Sequence, residues 1–339
     1  MFNANKEQIK LYMLKLVDGG DRELVAKTTE TFGVSKSSAY NYLKEMCDDG
    51  IIEKTDGIPS YRMLSHSVSF SYVNDGTLGE DRIFNRDIQP LLNSFDSNVF
   101  SVWRYSFTEM MNNAIEHSLA KNIHVKVITD ALNTRIVISD DGIGIFRNIQ
   151  NYMSMEKGQT LALDECVPLL FAGKFTTAKS LHSGEGIFFT SHLMDKFVIC
   201  SDNIFFSRDS FNDIQDSDMT AKTGTTVTMW LNNQSKKTTR EVFDRFSDVD
   251  EGFIRTHIPI VHVFSNGSPI SRSEARRLGE LIMGFKEITL DFTNVEEVGQ
   301  AFCHELFIVW QTRNPDVMLV VCNADEAVDR MIRRVKNTK

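Results

Sequence analysis

No stretch of this sequence approaches the roughly 18 consecutive apolar residues that a bilayer-spanning helix needs. The first ten residues, Met1 to Lys10, are polar and hold no apolar run of the kind found in secretory leaders. Both absences point to a cytoplasmic chain without a membrane partner. Cysteine is sparse and scattered: Cys47, Cys166, Cys200, Cys303 and Cys322 form no Cys-x-x-Cys pair. An odd count at irregular spacing argues against a disulfide framework or a zinc site and for buried, reduced thiols. Excess positive charge is lacking too. At a formal net charge of −9, the chain as a whole does not attract nucleic acid, and any DNA contact must come from a local surface. There is no internal repeat and no low-complexity segment.

What is present is an ordinary globular composition, 42% hydrophobic and 24% charged, over 339 residues. That length accommodates two or three domains, and three segments differ in character. In the first, 1–64, Ile9, Tyr12, Met13, Leu16 and Val17 fall at helical spacing. Asp21 is placed to cap a second helix carrying Leu24, Val25 and Thr28. Ser35 is placed to cap a third, with Ala39, Tyr42, Leu43 and Met46 inward. Residues 51–54 and 61–63 predict a small hairpin around Asp56-Gly57. Three helices and a hairpin resemble a winged helix-turn-helix, whose third helix enters a major groove. On that reading Lys36, Ser37, Ser38, Tyr40, Asn41 and Lys44 offer ammonium, hydroxyl and amide groups to phosphates and base edges. Against it, residues 1–65 hold nine Lys or Arg and ten Asp or Glu. Such modules also serve as docking or dimerisation units, and a two-fold operator implies a homodimer.

The second segment, 65–233, carries four short motifs. Glu109 and Asn113 stand at i and i+4 of a predicted helix and so share one face. Asn offers a neutral oxygen to a hard cation such as Mg²⁺, and Glu109 could orient or deprotonate a nucleophile. Asp140-Asp141-Gly142-Ile143-Gly144 follows an apolar strand, Thr134 to Ser139. It sets one carboxylate at the strand end, where the backbone passes close to a planar base. Ser183-Gly184-Glu185-Gly186-Ile187 opens a helix and presents backbone N–H groups to phosphate. Thr223-Gly224-Thr225-Thr226 enters a strand.

Together, in this order, the motifs resemble the Bergerat-type (GHKL) ATP-binding fold of gyrase, mismatch-repair ATPases, histidine kinases and anti-sigma-factor kinases. The resemblance implies an α/β sandwich with helices over one face of a mixed sheet, binding ATP and Mg²⁺. It implies Asn113 as the Mg²⁺ ligand and Asp140 as the acceptor for the adenine amino group, with Gly142, Gly144, Gly184, Gly186 and Thr225 around the pocket. Residues from about 152 to 183 would be a lid, with Lys174 and Lys179 as phosphate contacts. The Asn-Ala-Ile-Glu-His wording around Asn113 resembles anti-sigma-factor kinases and histidine kinases, a setting in which His117 could approach the phosphates.

No phosphoacceptor helix precedes this segment; His304-Glu305-Leu306 lies after it and lacks the pattern that follows such a histidine. Between the segments, Gln234 to Glu251 is polar and helix-prone and serves as a connector. The third segment, 252–339, predicts strands over 287–292 and 317–322 and helices over 273–283, 298–312 and 325–336. It resembles a STAS-like domain, an expected docking surface for a protein partner. STAS domains of the antagonist type place a phosphorylated serine where this chain has Gln300. The expected architecture is thus α/β multidomain: winged helix, Bergerat-type ATPase domain, small STAS-like α/β domain. The expected function is an ATP-gated regulator, transcriptional or stress-related. The alternatives are a Ser/Thr kinase or slow ATPase using Glu109, and a nucleotide-locked scaffold.

Overall fold

The computed structural model describes residues 5–175, 184–208, 223–264 and 267–338. The chain opens with three helices, α1 (Lys6–Asp18), α2 (Leu24–Phe32) and α3 (Lys36–Asp48), then an antiparallel hairpin of β1 (Ile52–Lys54) and β2 (Tyr61–Met63). Asn5 and Gln8 close a capping box on α1, and the Ser35 hydroxyl accepts from Ser38 N–H to start α3. Asp21 does not cap α2. Its carboxylate accepts from Glu23 N–H at 2.8 Å, before the helix begins at Leu24. Ile9, Met13, Val17, Leu24, Ala39, Leu43, Met46 and Ile52 form a small separate core. One residue from far along the chain joins it: Leu132, on the turn between the fourth and fifth strands. At the same seam the Asp18 carboxyl is pushed above the usual range by burial and by Asp130, with Lys196 opposing.

Next come β3 (His66–Val73), a helical stretch α4 (80–92), the long α5 (Ser97–Glu116), β4 (Asn122–Thr129), β5 (Asn133–Asp140) and α6 (Ile145–Lys157). Short α7 (Val167–Ala172), α8 (Gly186–Leu193), β6 (Lys196–Ser201), β7 (Ile204–Ser207) and β8 (Thr226–Asn232) follow. The six strands form one sheet ordered β3-β4-β5-β8-β6-β7. Every neighbouring pair in it is antiparallel, so the expected mixed sheet is corrected. Alternation along β4 and β5 turns Ile123, Val125, Val127, Ile136 and Ile138 into the core. There α5 meets the sheet with Val99, Val102, Trp103, Phe107, Met110 and Met111.

The expected connector is a packed element. Thr238 and Glu241 form a capping box on α9 (Thr239–Phe246), which leads to a two-stranded ribbon, β9 (Ser247–Asp248) and β10 (Gly252–Phe253). Its aromatic side chains join Phe188 and Phe189 of α8, with Phe189 and Phe243 stacked at 4.1 Å. The C-terminal part is a parallel three-stranded sheet, β11 (Arg255–Pro259), β12 (Glu287–Asp291) and β13 (Met318–Cys322). Helices α10 (Ile260–Val263), α11 (Arg272–Leu281), α12 (300–313) and α13 (Glu326–Asn337) surround it. α12 widens to a π-turn over Glu305–Trp310. Strand β11 has no counterpart in the sequence reading. Its residues, Arg-Thr-His-Ile-Pro, carry one aliphatic side chain and end in proline, which an edge strand tolerates. The buried apolar cluster runs unbroken from the six-stranded sheet into this C-terminal sheet. No helix among the described residues is long and apolar enough to cross a membrane.

Candidate nucleotide site

Between α5, the end of β5, α6 and the start of α8 lies a cavity of about 300 Å³, within the size range of small-molecule sites. α5 packs its apolar stripe on the sheet, and the flank of that stripe delivers Glu109, Asn113 and His117, spaced four residues apart, to the cavity wall beside Met110 and Ala114. Met110, Ile138, Ile145, Ile149 and Leu170 supply apolar wall, a surface suited to a planar base.

Asp140 ends β5 and faces the cavity. Its Oδ1 accepts from Gly142 N–H at 2.9 Å and Thr225 N–H at 3.3 Å. Burial pushes this carboxyl up to about 6, and the two N–H donors oppose the shift. Thr225 also accepts, through Oγ1, from Ile145 N–H at the start of α6. That leaves its O–H proton for a second partner. The glycines here are steric requirements. A Cβ on Gly142 would sit 2.1 Å from the Ser118 carbonyl oxygen, and one on Gly224, whose φ is +74°, 1.9 Å from that of Asp140. Gly142 and Gly144 act one step behind the cavity surface. Gly184 and Gly186 line it. A Cβ on Gly186 would lie 2.2 Å from Glu109 Oε2, so the first turn of α8 and the Glu109 carboxylate are in close approach.

Thus Glu109, Asn113, His117, Asp140, Gly184, Gly186 and Thr225 converge on one cavity. Lys174 does not join them. Its ammonium donates to the Gly284 carbonyl at 2.7 Å and lies 4.3 Å from the Phe285 ring, which corrects its assignment as a phosphate contact. Lys179 and Ser183 lie outside the described residues. The described part of the expected lid is exposed over residues 154–160 and packed at its end, where Leu170 and Phe175 face the cavity and Thr256 donates to the Ala172 carbonyl at 3.0 Å.

Sequence reasoning missed Asn148, whose amide ties α6 to the His117 carbonyl at 3.1 Å and also lines the cavity. It left Asp141 without a role. That carboxylate accepts from Lys121 and Asn122 N–H, both at 2.8 Å, and braces the turn after α5. At the N-terminus, Lys36, Ser37, Tyr40, Asn41 and Lys44 are exposed on the outer face of α3 and Ser38 is half-buried, while Ala39, Leu43 and Met46 face inward.

A helix-covered sheet with a carboxylate at a strand end, an Asn on the covering helix and glycines at a helix start defines an α/β nucleotide-binding domain. The comparisons agree with this class. Residues 104–235 match the family described as histidine kinase-, DNA gyrase B-, and HSP90-like ATPase. Residues 274–329 match a STAS-like domain of unknown function. The chain therefore carries a GHKL-type ATPase domain, an ATP-binding module, joined to a STAS-like domain. No curated protein matches it.

Proposed function

We propose that ATP bound in this cavity sets the state of a regulator whose N-terminal helices contact DNA. In this reading Asp140 and Thr225 hold the adenine edge, and the backbone N–H groups at the start of α8 meet the phosphates. Glu109 and Asn113 offer oxygen donors, which suit a hard cation shared with phosphate, so Mg²⁺ is the expected companion. The cation would neutralise phosphate charge when bound.

The observation that carries the regulatory reading is the placement of α7. Leu170 forms cavity wall, while the adjoining Phe171 and Ala172 pack against the C-terminal part. A ligand that prefers one position of this segment acts on the domain interface as well. The outer face of α3, with Lys36, Asn41 and Lys44, is the proposed DNA surface, and two copies would read a two-fold site. The test is DNA affinity, on a fragment selected from random sequence, with and without ATP–Mg²⁺. A nucleotide-dependent change, lost in Asn113→Ala and weakened throughout in Lys44→Ala, is expected. Equal affinity in both states sinks the proposal.

The contact between Glu109 and Gly186 favours a second reading, catalysis. A carboxylate at the start of α8 is placed to orient or deprotonate an attacking hydroxyl. A positioned base contributes about 10²–10⁴ in rate. Glu109→Ala should then abolish turnover, whether ATPase or Ser/Thr kinase, and leave ATP binding in place. Unchanged turnover would refute that role.

A further inference from the structure

Arg208 directly follows β7, at the inner edge of the GHKL-type domain. Its guanidinium lies 5.7 Å from the Phe171 ring on α7 and 5.5 Å from the Phe188 ring on α8. Both helices carry cavity wall, Leu170 on the first and Gly186 and Ile187 on the second. The same guanidinium donates to the His257 carbonyl at 2.7 Å and to His257 Nδ1 at 3.0 Å, on strand β11 of the STAS-like part. Because Nδ1 accepts, the ring proton sits on Nε2, which donates to Asp291 Oδ2 at 3.1 Å on β12. Asp291 Oδ1 is filled by Thr293 N–H, Thr293 Oγ1–H and Asn323 Nδ2–H at 2.9, 2.7 and 3.1 Å. Cys322 on β13 completes the cluster, with Sγ within 4.8 Å of the His257 and Asp291 ligand atoms.

His, Asp and Cys at this spacing suggest a metal centre, but the hydrogen-bond direction opposes one. A metal on Nε2 would leave the neutral ring with its proton on Nδ1, pointing at an arginine donor. Ligating histidines instead direct that proton to an acceptor. The arrangement is a one-way relay: arginine to histidine to carboxylate, from one domain onto two strands, β11 and β12, of the next.

We propose that Arg208 is a positioning residue that couples the nucleotide cavity to the C-terminal edge of the STAS-like sheet. One guanidinium nitrogen, Nη2, makes both hydrogen bonds to β11, while the guanidinium lies over rings on the two cavity helices. A shift of α8 on phosphate binding therefore moves the Arg208–His257–Asp291 chain. Gly173, at the end of α7, adds stiffness: a Cβ there would lie 2.6 Å from the Phe188 ring. Burial and the Arg208 charge hold the His257 ring well below its usual range, which keeps it neutral and able to accept from arginine. This inference rests on the ATP-binding reading of the cavity.

Cys322 is the reporter. Cys166, Cys200 and Cys303 are buried, so in a Cys47→Ser background Cys322 is the partly exposed thiol that remains. Its labelling rate by an aromatic disulfide is measured with and without ATP–Mg²⁺, beside calorimetric titration of ATP on the same preparation. Couplings between sites commonly amount to about fivefold or more, and a change of that order is expected. In Arg208→Gln the change should vanish while ATP still binds. Arg208→Lys, which keeps the charge but not the planar guanidinium over the Phe171 and Phe188 rings, should lose it too, and so serves if the Gln variant folds poorly. Identical labelling rates with ATP demonstrably bound would overturn the coupling, as would its full persistence in Arg208→Lys. If calorimetry shows no ATP binding before any Arg208 change, the nucleotide reading itself fails and takes the coupling with it.

Discussion

An ionised Asp140 accepts a hydrogen bond from an adenine amino group more strongly than a protonated one, and burial raises its carboxyl to about 6. ATP affinity should therefore fall as pH drops below about 6, because the protonated carboxyl is the weaker acceptor. Calorimetry across pH 5 to 8 checks this on the wild type, and a flat profile would rule out a charge-assisted bond from adenine to Asp140. His257 gives a second pH dependence. Its folded value is depressed to about 4, below the roughly 6.5 of an unfolded chain. The unfolded state thus takes up the proton first, and this contribution to stability, complete above about 6.5, is lost as pH falls toward 4. Asp140 has the opposite sign, losing stability as pH rises from about 4 to 6. Urea midpoints for wild type and His257→Gln separate the two; the variant should have the shallower acid-side loss. Gly186→Ala places a methyl against Glu109 Oε2 and should weaken ATP binding at least about tenfold, the equivalent of about 1.4 kcal/mol. Most of these site residues could be read in the sequence because their chemistry is local: an i, i+4 pair, a carboxylate between a strand and glycines. Arg208 and His257 could not, since their meaning comes from a contact across 49 positions.

Capping and turn chemistry decide what is legible for elements. Ser35 and Asp325, each accepting from a backbone N–H three residues on, mark the starts of α3 and α13, and both helices were readable. Removing the Ser35 hydroxyl should cost about 1 kcal/mol. Because α3 carries the proposed DNA surface, Ser35→Ala should lower both the melting point of the N-terminal module and DNA affinity. Loss of affinity without loss of stability would point to a direct contact instead. Strand β11 was illegible because it alternates on one apolar side only, Ile258, with Thr256 buried through a hydrogen bond rather than by hydrophobicity. The antiparallel course of the sheet was likewise beyond reach, since chain direction depends on pairing between β5, β8 and β6 that no local pattern encodes.

Over the whole molecule, the buried core sets what unfolds together. The GHKL-type and STAS-like parts share one apolar cluster, whereas the three N-terminal helices have their own and touch the rest through Leu132. Calorimetry should show two transitions, the smaller from residues 5–64. Leu132→Ala should lower that smaller transition and leave the larger in place. A single transition, unchanged in the variant, would mean that the modules are not energetically separate.

The six residues of α7 have a consequence for inheritance. Neighbouring positions serve different masters, Leu170 the nucleotide and Phe171 the adjoining domain, so neither can change without the other registering it. Substitutions at Leu170 that weaken ATP binding should be rescued by second-site changes far from the cavity, at Thr256 or Phe285. A genetic screen for suppressors would then trace the domain boundary. In descendants of this chain the two parts would be bound to diverge as a pair.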